Sequence, residues 1–144
     1  MLALFVVGLV ATTVTALTVD ANNPVVHEEL EPHLVLSYAD SLARCEEASM
    51  PAVMPKTPEM WKQVSETLFN IGYGDEHMWV PAKMADDGTL KWMDGTDVTL
   101  TNITPVESDV DTSEGLCLAM SPEEDHHGEL APCYAVILPM ICHP

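Results

Sequence analysis

Trp92-Met93-Asp94-Gly95-Thr96 is the stretch on which the reading of this chain turns: a short alternating segment, Leu90-Lys91-Trp92, that runs into a tight-turn dipeptide. Alternation followed by Asp-Gly is the pattern of a half-buried strand ending in a reversal. Outward from it, Asp86-Asp87-Gly88 marks a turn on the upstream side, and Trp79-Val80-Pro81-Ala82 begins the strand before that turn. Downstream, Thr101 to Glu114 is polar and without apolar period, which reads as a long irregular loop. Leu116 to Met120 reads as a strand with Cys117 and Ala119 on one face and Leu118 on the other. Ser121 to Pro132 reads as a second, acidic loop, and the apolar run Tyr134 to Ile141 as a central strand with Pro139 at a bulge or end.

The half before Trp79 has a different texture. His33-Leu34-Val35-Leu36-Ser37 reads as a short strand, and Ala39 to Ala48 as a short amphipathic helix bearing Leu42 and Cys45. A second helix starts at Thr57, which suits an N-cap, with Pro58 at the first helical position and Glu59 at the positive end of the dipole. Met60, Trp61, Val64 and Leu68 give it an apolar stripe, and Gly72 and Gly74 end it. Helices first and strands after predict an α+β fold.

The chain has 144 residues, enough for one substantial core. Residues 1–16 are uncharged, almost wholly apolar or Thr, and close on Val14-Thr15-Ala16, which reads as a signal peptide. Residues 17–32 carry Asn22-Asn23-Pro24 and several acids without periodicity, and are expected to form a flexible acidic leader to a domain over 33–144. A secreted, extracellular protein follows, with no membrane insertion of the mature chain. Acidic residues outnumber basic ones 23 to 5, a formal charge of −18 that repels nucleic acid. Four Cys without a Cys-x-x-Cys pair fit disulfides rather than zinc, and four allow three pairings.

Taken in order, Trp79-Val80-Pro81-Ala82, Trp92-Met93-Asp94-Gly95-Thr96, Gly115-Leu116-Cys117, Cys133 and Pro139-Met140-Ile141-Cys142 resemble the frame of a C-type lectin-like domain, over roughly Leu34 to His143. Pro81 stands where the family has Gly, a change tolerated only where no partner needs the missing N–H. The resemblance implies two helices packed on small antiparallel sheets with long irregular loops, in the short form of the domain. It also implies two disulfides, Cys45–Cys142 and Cys117–Cys133, and a non-enzymatic role in binding a glycan or an extracellular protein.

Sugar-binding members hold calcium through a Glu-Pro-Asn or Gln-Pro-Asp triplet and a Trp-Asn-Asp triplet. In this chain the first aligns with Glu107-Ser108-Asp109 and the second with Gly128-Glu129-Leu130. Glu107, Asp109, Glu114 and Glu129 are therefore the candidate ligand-binding residues, with Glu107, Asp109 and Glu129 offering oxygens to a weak calcium site. No cofactor is required on this reading. The alternative is that all four are solvated acids in an acidic loop. Asn102-Ile103-Thr104 is a glycosylation sequon, which makes Asn102 the candidate glycan carrier.

Glu123-Glu124-Asp125-His126-His127 gathers ligand-type residues, but adjacent His side chains on an extended chain point apart, and an exposed acidic loop is the expectation. Nine Met are expected mainly to fill the core around the helices. No Gly-x-Ser-x-Gly, His-Glu-x-x-His or Gly-rich phosphate loop supports an enzyme. The second function class is an acidic extracellular-matrix or biomineral-associated protein acting through its negative surface.

Overall fold

The computed structural model describes residues 18–20, 23–27, 35–121, 126–137 and 139–142. The signal-peptide reading of 1–16 lies outside them. Within the stretch read as leader, Thr18–Asp20 (β1) and Asn23–His27 (β2) pair antiparallel, apart from the main sheet.

Helix α1 spans Tyr38–Glu47, and Ser37 Oγ caps it by accepting from the Asp40 amide at 3.3 Å. Helix α2 spans Pro58–Leu68; Thr57 Oγ1 accepts from the Met60 amide at 3.2 Å, and Pro58 supplies a φ already suited to a first turn. A wider π turn, Phe69–Tyr73, follows, and within it Gly72 kinks the backbone at φ 101°, a conformation costly for any residue with a Cβ. The strands are β3 (Met78–Met84), β4 (Leu90–Trp92), β5 (Ile103–Thr104), β6 (Leu116–Met120) and β7 (Gly128–Pro132). They form one mixed sheet in the order β4-β3-β6-β7-β5, antiparallel except for the parallel β5–β7 pair.

The middle of this sheet is buried on both faces. Met78, Val80 and Ala82 of β3 and Leu118 and Met120 of β6 join Trp61, Val64 and Leu68 of α2, together with Trp92, in one core. Trp79, Cys117 and Ala119 point the other way and join Tyr38 and Cys45 of α1 and Met140 in a second core. The period of two along β3 and β6 thus assigns alternate side chains to two helices on opposite faces. The Tyr38 ring meets Trp79 edge to face, with centroids 5.8 Å apart.

Pro81 is accommodated as expected of a residue without an N–H. Between Trp79 and Lys83 the β3–β6 register shifts, so the ladder skips the proline, while its carbonyl accepts from the Met93 amide at 2.8 Å. Both disulfides implied by the resemblance are present, with Cα separations of 5.6 Å for Cys45–Cys142 and 5.1 Å for Cys117–Cys133.

Three segment readings need correction. Among the described residues, Tyr134 to Ile141 is not a central strand: only isolated bridges form there, Leu36 with Ile137 and Ala52 with Cys142, and Tyr134 and Val136 are exposed. Its apolar character serves burial of Met140, Ile141 and Cys142 between the two N-terminal segments rather than a ladder. The strand read at 33–37 likewise reduces, among the described residues, to the Leu36 bridge. Gly128–Pro132, read as part of an acidic loop, is instead strand β7, paired with β6 and β5, with Leu118, Ile103 and Trp61 packed 3.2–3.4 Å from where a Cβ on Gly128 would stand. Of the Met residues, Met78, Met120 and Met140 fill the cores, whereas Met60 and Met93 are exposed.

Candidate functional site

The long loop between β5 and β6 is held at both ends. At its start, Asn102 O accepts from the Gly128 amide at 2.8 Å, and Ile103–Thr104 pairs with β7. At its end, Gly115 O accepts from the Cys133 amide at 3.2 Å beside the Cys117–Cys133 bridge, and Gly115 adopts φ 91°. In between, Val110 N–H donates to Glu107 O, closing a turn, and Tyr134 Oη donates to Asp111 O at 3.4 Å. Asp111 Oδ1 accepts from the Ser113 amide, and that bond holds its carboxyl below the ordinary carboxylate value.

The turn after β4, the edge strand opposite β5, carries a polar cluster of its own. Asp94 Oδ1 accepts from Thr96 N and Oγ1 at 3.0 and 2.6 Å, while Lys56 Nζ donates to Asp94 Oδ2 and to Thr96 Oγ1. The Lys56 ammonium is the largest influence on Asp94, and with Thr96 it brings the carboxyl down to about 2. Asp87 and Thr89 repeat the local motif one turn earlier, and those Thr89 bonds also lower the Asp87 pKa.

Glu107, Asp109, Glu114 and Asn102 are all exposed on the loop. Glu129 sits elsewhere, on β7, where its Oε1 meets His127 Nε2 at 2.8 Å and its Oε2 lies 2.9 Å from His77 Nε2. One carboxylate thus faces two imidazoles. Among the described residues no three His, Cys, Asp or Glu side chains converge as a metal ion would require, so Glu107, Asp109 and Glu129 are not brought together. The adjacent histidines do diverge, but they are not exposed as expected. His127 is buried against Glu129, and the half-buried His126 turns to α2, its Nδ1 2.7 Å from Ser65 Oγ. Residues 123–125 lie outside the described residues.

Sequence reasoning missed the His77–Glu129–His127 contact and the hollows beside α2. The first joins residues fifty apart, and its only local trace was the alternation of His127 and Glu129 about Gly128. Two hollows flank His126: one of about 220 Å³ lined by Glu66, Phe69, Asn70 and His126, and one of about 80 Å³ lined by Pro58, Trp61, Leu100, Thr101, Asn102, Ile103 and His126.

No protein-family model and no curated protein sequence matches this chain. Solved structures do. SPL-1 in complex with GlcNAc superposes with a TM-score of 0.59 at 16% identity, covering 75% of this chain and 79% of that one. TC14, a C-type lectin from the tunicate Polyandrocarpa misakiensis, gives 0.57 at 22% identity, covering 75% and 89%. The carbohydrate-recognition domain of the mouse scavenger receptor C-type lectin gives 0.57 at 19%, covering 75% and 80%. The chain therefore has the C-type lectin-like fold.

Proposed function

We propose that this C-type lectin-like domain is a secreted recognition module that binds a glycan through the exposed loop from Thr101 to Glu114. One observation carries the reading: a long polar loop is pinned at Asn102 and at Gly115 while Glu107, Asp109 and Glu114 stay exposed between the pins. A loop fixed at both ends by a rigid sheet presents polar groups with little ordering cost on binding. Two disulfides fit an oxidising, extracellular setting. Among the described residues no helix is long and apolar enough to cross a membrane.

Calcium contributes weakly in this reading. Calcium takes six to eight oxygens, and Ser108 and Leu130 stand where sugar-binding members supply a proline and an oxygen ligand. Binding rather than catalysis is the proposed role, since no nucleophile–base motif accompanies the loop. A glycan array probed with calcium and again with chelator tests it, and the expected result is saccharide-selective binding little changed by chelator. The −18 charge favours a second reading, adsorption to cationic or mineral surfaces. Binding that vanishes in high salt and survives scrambling of residues 105–114 would replace the first reading with the second.

A further inference from the structure

We infer that the groove running from Asn102 past His126 to Phe69 is the seat of the chain's own N-glycan, whose core sugars, attached at Asn102, pack against α2. Four observations converge on it. Asn102 opens the Asn-Ile-Thr sequon, is exposed, and itself lines the smaller hollow. That hollow and the larger one lie on either side of His126, which lines both, so a chain of sugars leaving Asn102 would pass His126 to reach Phe69.

The larger hollow has the chemistry a pyranose takes. Phe69 is 48% exposed, yet its ring lies against Gly74, where an added Cβ would stand 2.8 Å from it. Only glycine lets the ring lie there, which fixes an aromatic platform for the apolar C–H face of a sugar. Beside it, Glu66 Oε1 and His126 Nε2 stand 3.9 Å apart, too far to hydrogen-bond each other. A sugar hydroxyl placed between them can donate to the Glu66 carboxylate while its oxygen meets His126 Nε2, both at ordinary hydrogen-bond length. The amide of Asn70 borders the same space.

His126 is held for this position at a conformational cost. It has φ 47°, uncommon for a residue with a Cβ, and is clamped by Trp61 Nε1 donating to its carbonyl at 2.9 Å and by Ser65 Oγ at its Nδ1. The clamp leaves Nε2 facing the groove. Each contact is weak alone, but a sugar tethered at Asn102 is present at millimolar or higher effective concentration, so modest contacts suffice to seat it. This inference is independent of any external ligand of the long loop.

The test expresses the full chain through a eukaryotic secretory pathway and measures the mass of the Asn102 peptide and the thermal midpoint. The expected result is a core N-glycan on Asn102 and a fall of roughly 4 °C on losing it, whether by Asn102→Gln or by Thr104→Ala. In a Phe69→Ala background that fall should largely disappear, since the platform is gone. NMR of isotope-labelled core sugars in the unsubstituted protein gives a second readout independent of variant folding: ring-current upfield shifts of sugar protons. An unmodified Asn102, an equal fall with and without Phe69→Ala, or sugar protons at solvent-exposed shifts would each overturn the inference.

Discussion

Two fully buried tryptophans, Trp79 at 0% and Trp92 at 2% exposure, allow a test of what a buried indole N–H is worth in this domain. Trp79 Nε1 donates to Leu36 O at 2.9 Å, whereas Trp92 Nε1 is buried and, among the described residues, has no hydrogen-bond partner. Changing either to Phe removes a similar slice of ring and leaves a similar cavity, which costs about 1–2 kcal/mol. At position 79 the lost hydrogen bond adds about 1 kcal/mol, for a total near 2–3. Position 92 differs in sign, because removing an unpaired buried donor returns about 1–3 kcal/mol and brings the net change close to zero. Equilibrium urea denaturation of the two single variants, disulfides intact, gives both numbers from midpoints and slopes. The expected outcome is Trp79→Phe less stable than Trp92→Phe by about 2–4 kcal/mol. Equal losses with unchanged slopes would refute the reasoning, and would mean that the Trp92 N–H is satisfied in solution.

The disulfides should contribute unequally. Replacing both Cys117 and Cys133 with Ala frees a loop of separation 16 and should cost about 3 kcal/mol, while replacing Cys45 and Cys142, separation 97, should cost about 4.7 kcal/mol by the chain-entropy relation, both readable by denaturant titration. The Lys56–Asp94 pair should shape the acid limb of stability. Asp94 is lowered in the fold from 3.8 to about 2, so its contribution is complete above pH 3.8 and is lost as pH falls through about 2. Asp94→Asn should flatten thermal stability against pH across that window, since its Oδ1 can still accept from Thr96 while the charge that pairs with Lys56 is gone. Calcium should bind no better than about 10⁻³ M. A one-to-one micromolar site in calorimetry, abolished by Glu107→Ala with Asp109→Ala, would instead restore a metal-dependent lectin.

What was legible in the sequence was what local chemistry determines. Ser37, Thr57 and Pro58 belong to helix starts because their side chains and φ satisfy orphan amides, and the two Asp-Gly-Thr turns follow from side chains that bond their own backbone two residues on. The disulfide pairing was legible only through the family resemblance, since four Cys leave three choices open. What stayed hidden depends on contacts between distant residues. The run from 134 to 141 is as apolar as a strand, and nothing within it tells burial between two segments from ladder pairing. Gly128–Pro132 is polar enough to read as loop, yet its pairing with both β6 and β5 is imposed by neighbours that no local pattern reveals. The same holds for Glu129, whose position beside His77 and His127 depends on the register of β7 against β6.

The bond between Cys45 and Cys142 has a mechanical consequence. Chain entry and exit lie side by side, with Leu36 bridged to Ile137 and Ala52 to Cys142. Tension applied to the two ends would draw out the segment before Cys45, the Leu36–Ile137 bridge and the start of α1 included, and then be arrested by a covalent link. Everything from residue 46 to residue 141 is shielded from extension while that link holds, the Pro81 bulge and the pinned loop included. A pull that would unravel a domain held by hydrogen bonds alone would here leave the loop surface in its resting geometry, and reduction of one bond would open the stretch from 46 to 141 to extension.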